Sequence, residues 1–139
     1  MASPGFEPRQ TPILLDTHTL LWLVSAPDRI SGKARDAIAN PSREVVVSAA
    51  SAWEIAIKTR LGRIGGEPLL SAWPDVIAAM AITELAIDSA DAIMAGRLQW
   101  EHRDPFDRII VAQAARRGLI IATRDARIIG AALTPTLRV

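Results

Sequence analysis

The chain of 139 residues has no cysteine and no tyrosine. Disulfides, thiolate metal sites and thiol nucleophiles are therefore excluded. Aromatic residues make up 4% of the chain, whereas 50% of it is hydrophobic. Ala, Ile, Leu and Val must fill the core, which favours helices on a buried parallel sheet over an aromatic-rich β-sandwich. Neither sign of charge dominates, with 16 Lys and Arg against 15 Asp and Glu. The chain is neither a polycation that grips nucleic acid by bulk charge nor an acidic tail. No apolar run approaches the ~20 residues of a membrane helix. Gly65-Gly66 follows no strand pattern and precedes no Lys-Ser or Lys-Thr, so no phosphate-binding loop is present. The histidines, His18 and His102, have no zinc-motif spacing, and neither is expected to hold a metal. Met1–Pro12 carries three prolines and no apolar run, so it is not expected to be the apolar region of a signal peptide. Residues 1–12 are expected to form a flexible arm before one domain over residues 13–139, in a reducing cytoplasm.

What the chain does have is alternation. Short β-branched runs recur at Ile13-Leu14-Leu15, Glu44–Ser48, Thr83–Ile87, Leu119–Ala122 and Thr136–Val139. Between them lie helical patterns over Thr17–Val24, Ser31–Asn40, Ala50–Leu61, Leu69–Met80, Ser89–Leu98, Asp104–Arg117 and Asp125–Ala131. Strand and helix in turn predict an α/β fold with a parallel sheet covered on both faces. Ligands of such sheets sit beyond the carboxyl ends of the strands. The residues just after the strands therefore matter most.

They are mostly acids. Asp16 follows the first strand, Glu54 lies in the helix after the second, and Asp107 opens the helix before the fourth. Asp125 follows that fourth strand. Each has a bland reading. Asp16 and Asp125 fit helix N-caps, and Glu54 with Lys58 fits an exposed ion pair. Asp104-Pro105-Phe106-Asp107 fits a capped helix start. Together they say more, because clustered carboxylates repel one another unless a cation sits among them. An all-oxygen site suits Mg²⁺ or Mn²⁺. Such an ion activates water and holds a phosphodiester oxygen, so no serine or cysteine nucleophile is required. A dehalogenase-like phosphatase would need an Asp two residues after Asp16, and that position is His18.

Four segments carry a family resemblance: Leu14-Leu15-Asp16-Thr17-His18, Ser48–Lys58 with its Trp-Glu-Ile-Ala-Ile-Lys string, Arg103–Ala114 with Asp-Pro-Phe-Asp-Arg, and Ala122-Thr123-Arg124-Asp125. The chain from residue 13 onward resembles the PIN domain family, and within it the VapC-type toxins of toxin–antitoxin modules. The resemblance implies a three-layer α/β/α sandwich with a parallel sheet of about five strands. It implies metal ligands at Asp16, Glu54, Asp107 and Asp125, with Thr123 and Asp104 supporting them. It implies a Mg²⁺- or Mn²⁺-dependent endoribonuclease that cuts RNA, pairs with a VapB-like antitoxin and forms a homodimer. Lys58, Arg60, Arg108 and Arg124 adjoin the acids and are the candidate contacts to the RNA backbone. The four tryptophans are expected to pack rather than stack bases. The rival from another class is a non-catalytic RNA- or protein-binding module on the same fold. Setting four acids aside as metal ligands leaves the rest of the chain distinctly basic.

Overall fold

The computed structural model describes residues 10–139. The expected arm therefore lies, for residues 1–9, outside the described residues. Its last residues lie against the body: Pro12 accepts a hydrogen bond from the Ile120 N–H at 3.0 Å.

The chain alternates as its pattern predicts. The order is β1 (Ile13–Leu15), α1 (Thr17–Ser25), α2 (Gly32–Ala39), β2 (Val45–Ser48), α3 (Ala49–Arg60), α4 (Glu67–Ser71), α5 (Trp73–Ala79), β3 (Thr83–Leu85), α6 (Ser89–Arg97), α7 (Pro105–Arg117), β4 (Ile120–Thr123), α8 (Ala126–Ala131) and β5 (Thr136–Arg138). A single 3₁₀ turn at Pro27–Arg29 links α1 to α2. Among the described residues no helix is long and apolar enough to cross a membrane.

The five strands form one parallel sheet in the order β3-β2-β1-β4-β5. Strand period two sends alternate side chains to opposite faces. Ile13, Leu15, Val45 and Val47 join one core with Leu20, Ile30, Ile55, Trp73 and Ile77 from α1 to α5. Leu14, Val46 and Ile121 join a second core with Ile110, Val111 and Ala114 of α7 and Ile128 of α8. The β1 and β2 runs are buried on both faces, which explains why they read as unbroken apolar stretches. The predicted three-layer α/β/α sandwich with five parallel strands is the observed one.

The elements depart from expectation in two notable places. The single helix expected over Leu69–Met80 is two, α4 and α5, broken at Ala72. Pro74 lacks the N–H that a continuous helix would need and sits in the first turn of α5 instead. The cap of α6 is Asp88 rather than Ser89, because Asp88 and Asp91 close a reciprocal capping box. At the end of α7 the expected stop holds: Gly118 adopts φ 65°, a left-handed conformation open to glycine without steric cost.

The winding of the sheet reverses between β1 and β4. That switch point opens a crevice at the carboxyl ends of the two central strands. Asp16 and Asp125 stand on its two sides.

Candidate active site

Asp16 ends the central strand, and its N–H still bonds the Ala122 carbonyl of β4 at 3.2 Å. Its Oδ1 accepts from the Thr19 N–H at 2.8 Å, so it also caps α1. The capping role is therefore real, but a cap works at the surface and Asp16 is only 6% exposed. Burial pushes its carboxyl above the usual range, against hydrogen bonds from Thr123 and Thr19 that favour the ionised form.

Thr123 links Asp16 to Asp125. It ends β4, its hydroxyl accepts from the Asp125 N–H at 3.0 Å, and it hydrogen-bonds Asp16. Asp125 caps α8 through the Arg127 N–H at 2.8 Å. Hydrogen bonds from the Arg127 side chain lower its pKa, against partial burial.

Glu54 arrives from α3. Thr17 and Ser51 hydroxyls meet at 2.9 Å and join α1 to α3 one turn before Glu54. Trp53 and Phe106 pack edge-to-face with centroids 4.8 Å apart, joining α3 to the start of α7. Glu54 is buried and its Oε2 accepts from Lys58 Nζ at 2.6 Å. The expected ion pair is present, but its acid member is not exposed.

Asp107 sits in the first turn of α7. Asp104 caps that helix, accepting from the Phe106 and Asp107 N–H groups at 2.9 and 3.1 Å. Asp104 thus fixes the start of the helix that carries Asp107. Asp107 has its pKa raised to about 6. Burial is the main cause, and the charges of Asp104, Asp125 and Glu54 add to it against a hydrogen bond from His102. The charges of Glu54 and Asp125 thus both reach Asp107.

Sequence reasoning missed His102. Its Nε2 lies 2.7 Å from Asp107 Oδ2, and one donor atom each of His102, Asp104 and Asp107 lie within 4.8 Å of one another. The loop 98–104 has no periodic signal that could have placed it. His18 lines a cavity of about 220 Å³ with Asp16, Trp22, Arg124 and Asp125.

The basic residues divide. Lys58 is on Glu54, and Arg60 is exposed at the end of α3. Arg108 is not free for RNA. Its guanidinium donates to the carbonyls of Ala95, Trp100, His102 and Leu98 at 2.7 to 2.9 Å. It holds the end of α6 and the loop that carries His102. Arg124 lies 4.5 Å over the Trp22 ring and donates to the Val139 and Arg29 carbonyls, forming a wall of the cavity beside Asp16. Arg127, which no motif singles out, makes two side-chain hydrogen bonds to Asp125. Of the tryptophans, Trp73 is buried and its indole N–H bonds Glu84, as packing predicts. Trp53 is 53% exposed, despite its contact with Phe106.

The pattern that decides the family is one of whole-domain extent. The PIN domain pattern matches residues 13–132. The chain belongs to the PIN domain family. This PIN domain is 33% identical to Ribonuclease VapC22 of Mycobacterium tuberculosis over 119 residues, 85% of this chain and 90% of that protein. Solved PIN-like structures superpose along most of its length. The crystal structure of DNA-bound VapBC from Salmonella typhimurium has a TM-score of 0.68 at 21% identity, covering 92% of this chain and 98% of that one. Mycobacterium tuberculosis VapC20, a sarcin-ricin loop cleaving toxin, has a TM-score of 0.63 at 17% identity, covering 86% of this chain and 95% of that one.

The donor set of this PIN domain fits a hard divalent ion. It is carboxylate oxygen with one imidazole beside it, and burial makes its negative charge costly without a cation.

Proposed function

We propose that this PIN domain is a divalent-metal-dependent endoribonuclease, the toxin of a toxin–antitoxin pair. One observation carries the reading: buried Asp16 lines one cavity with Asp125 at the sheet's switch point, Asp107 gathers with Asp104 and His102 within 4.8 Å, and burial makes the charges of Asp16 and Asp107 costly. Glu54 and Asp107 cap no helix, so capping does not explain why they converge. The non-catalytic alternative leaves that cost without a purpose.

The residues that would hold Mg²⁺ or Mn²⁺ are Asp16, Glu54, Asp107 and Asp125. Once bound, such an ion lowers the pKa of water and clamps a phosphodiester oxygen. The chain's own residues do the rest. Thr123 fixes Asp16 and Asp125 relative to each other. Asp104 and His102 hold Asp107 from its two sides. Burial of Asp16 and Glu54 keeps competing water away from their oxygens. Lys58 and Arg60 are the remaining candidates for the RNA backbone, with Arg124 as a wall of the groove. Single-stranded segments fit best, since their bases and backbone can enter a groove of this kind. The 33% identity to a ribonuclease supports RNA as the substrate. The VapBC likenesses support a VapB-like antitoxin as partner, and we extend the reading to a homodimer in the cytoplasm.

The test is Asp16→Asn. It keeps the cap and the shape and removes the charge. Metal-dependent cleavage of RNA is expected to disappear while the protein stays folded. Cleavage at the wild-type rate by a well-purified Asp16→Asn sample overturns the assignment.

A further inference from the structure

Arg127 is the side chain that neither the motifs nor the proposed chemistry absorbs. It occupies the second position of α8, directly after the acid that caps the helix. A cation there opposes the helix dipole, which favours negative charge at an N-terminus. Something else must hold it in place. The contacts show what does: Arg127 Nε reaches Asp125 Oδ1 at 3.2 Å and Nη2 reaches Oδ2 at 2.9 Å. The Arg127 N–H takes Oδ1 as well, at 2.8 Å. Both oxygens of Asp125 therefore face N–H donors, in the forked geometry that arginine forms with a carboxylate. The guanidinium also feels Asp107 and Asp104. Through Asp125 it supplies positive charge beside the acids.

The same side chain is 64% exposed, whereas that of Asp125 is 25% exposed. An exposed pair of this kind is held weakly. An ion coordinating Asp125 would have to displace at least one of the guanidinium's N–H groups. The released arm would then swing at the lip of a cavity of about 380 Å³ lined by Trp100, Glu101, His102, Ala126 and Gly130. That cavity shares His102 with the site, since His102 bonds Asp107.

We infer that Arg127 is an exchangeable counter-charge: it holds Asp125 while the metal site is empty and grips an RNA phosphate once an ion takes Asp125. The device links metal loading to substrate grip, so that each favours the other. It rests on the proposed metal-dependent ribonuclease reading and adds a substrate-positioning residue to it.

The experiment measures Mn²⁺ binding to the metal-free protein by calorimetry, for wild type, Arg127→Ala and Arg127→Lys. It then measures binding of a 2′-O-methyl, uncleavable single-stranded RNA at saturating Mn²⁺ over a range of salt. Arg127→Ala is expected to bind Mn²⁺ about five-fold more tightly, because no guanidinium competes for Asp125. The same variant is expected to bind the RNA more weakly, with the salt slope smaller by about 0.7, one phosphate contact on a single strand. Arg127→Lys keeps the charge without the fork and should fall between the two in Mn²⁺ affinity while keeping the wild-type salt slope. Mn²⁺ affinity that is unchanged or weaker in Arg127→Ala overturns the inference and leaves the ribonuclease reading intact, as does an unchanged salt slope. A wild-type protein that binds no Mn²⁺ overturns both.

Discussion

His102 Nε2 sits 2.7 Å from Asp107 Oδ2, so an imidazole from a loop steadies the carboxylate that opens α7. Partners that orient a metal-binding carboxylate typically alter metal affinity by about 10–100-fold when removed. His102→Ala is expected to weaken Mn²⁺ binding by about that factor while the fold stays intact. It also removes a hydrogen bond that favours ionised Asp107, so the pH needed for metal binding should rise. Calorimetric titrations with Mn²⁺ at several pH values check both parts. Equal affinity in wild type and His102→Ala would show that the imidazole has no part in the site.

The raised pKa of Asp107 makes a signed prediction about stability. In the unfolded chain this carboxyl titrates near 3.8, and in the folded metal-free protein at about 6. Between those values the folded state binds more protons than the unfolded one. Its contribution to stability is therefore present at low pH and lost as pH rises through about 6. A divalent ion reverses the sign by binding the ionised form. Adding Mn²⁺ should raise Tm clearly at pH 7.5 and much less at pH 5. Thermal melts with and without the ion at the two pH values give the answer, and an equal shift at both would be inconsistent with titration of a ligand near 6.

Asp16 carries two roles that substitution separates. Asn and Asp are equivalent N-caps, whereas Ala forfeits about 1 kcal/mol of cap. Burial is the main pressure on Asp16 and acts against its charge. Asp16→Asn should therefore match or exceed the wild-type Tm at pH 7 without metal, and Asp16→Ala should fall below it. Both should lose Mn²⁺ affinity. If Asp16→Asn melts lower than Asp16→Ala, the cap and burial account is wrong.

Arg108 makes a prediction that its place in the sequence would not suggest. Its fork satisfies four carbonyls around the end of α6 and the His102 loop. Lysine cannot span that set from one ammonium. Arg108→Lys should cost about 2 kcal/mol by leaving carbonyls partly unpaired. It should also lower Mn²⁺ affinity by loosening His102. Chemical denaturation and Mn²⁺ titration of the same sample separate the two effects. A variant as stable as wild type would show that the carbonyls find water instead.

Why some of this was legible in the sequence, and some not, follows from the range of each interaction. The β1, β2 and β4 runs are buried on both faces, so β-branched residues cluster in the chain and are visible there. Asp16 and Asp125 follow strands whose carboxyl ends must form the crevice, so topology alone brings them together. Asp104 and Asp107 lie in a helix start written in four consecutive residues. Arg108 and His102 differ. A long side chain takes its partner from whatever tertiary packing presents, and Arg108 found carbonyls where RNA phosphate had been expected. His102 lies in a loop, five residues from the acid that it steadies, and no periodicity marks that distance. Arg127 is within two residues of Asp125, yet a cation in the first turn of a helix reads as a surface residue until its fork is seen.

Asp91, outside the acid cluster, has its own stake in stability. It is fully buried and closes the capping box of α6 by accepting from the Asp88 N–H at 3.1 Å. It also accepts from Gln113 at 3.1 Å, from Arg117 at 2.9 Å and from Arg116. Burial alone would raise its pKa, but these donors outweigh burial and hold it at about 2. The folded value lies below the unfolded one, so this contribution is present above about pH 4 and is lost as pH falls towards 2. Removing the acid leaves Arg116 and Arg117 only the exposed carboxylate of Asp88, at 3.2 and 3.4 Å, in place of their buried partner. Asp91→Ala should therefore cost about 3 kcal/mol, at the lower end of what breaking a buried pair costs. Urea denaturation should show a lower midpoint with an unchanged slope, and Mn²⁺ affinity of the folded protein should not move. A loss under about 1 kcal/mol would mean that water replaces the carboxylate at the α6–α7 contact.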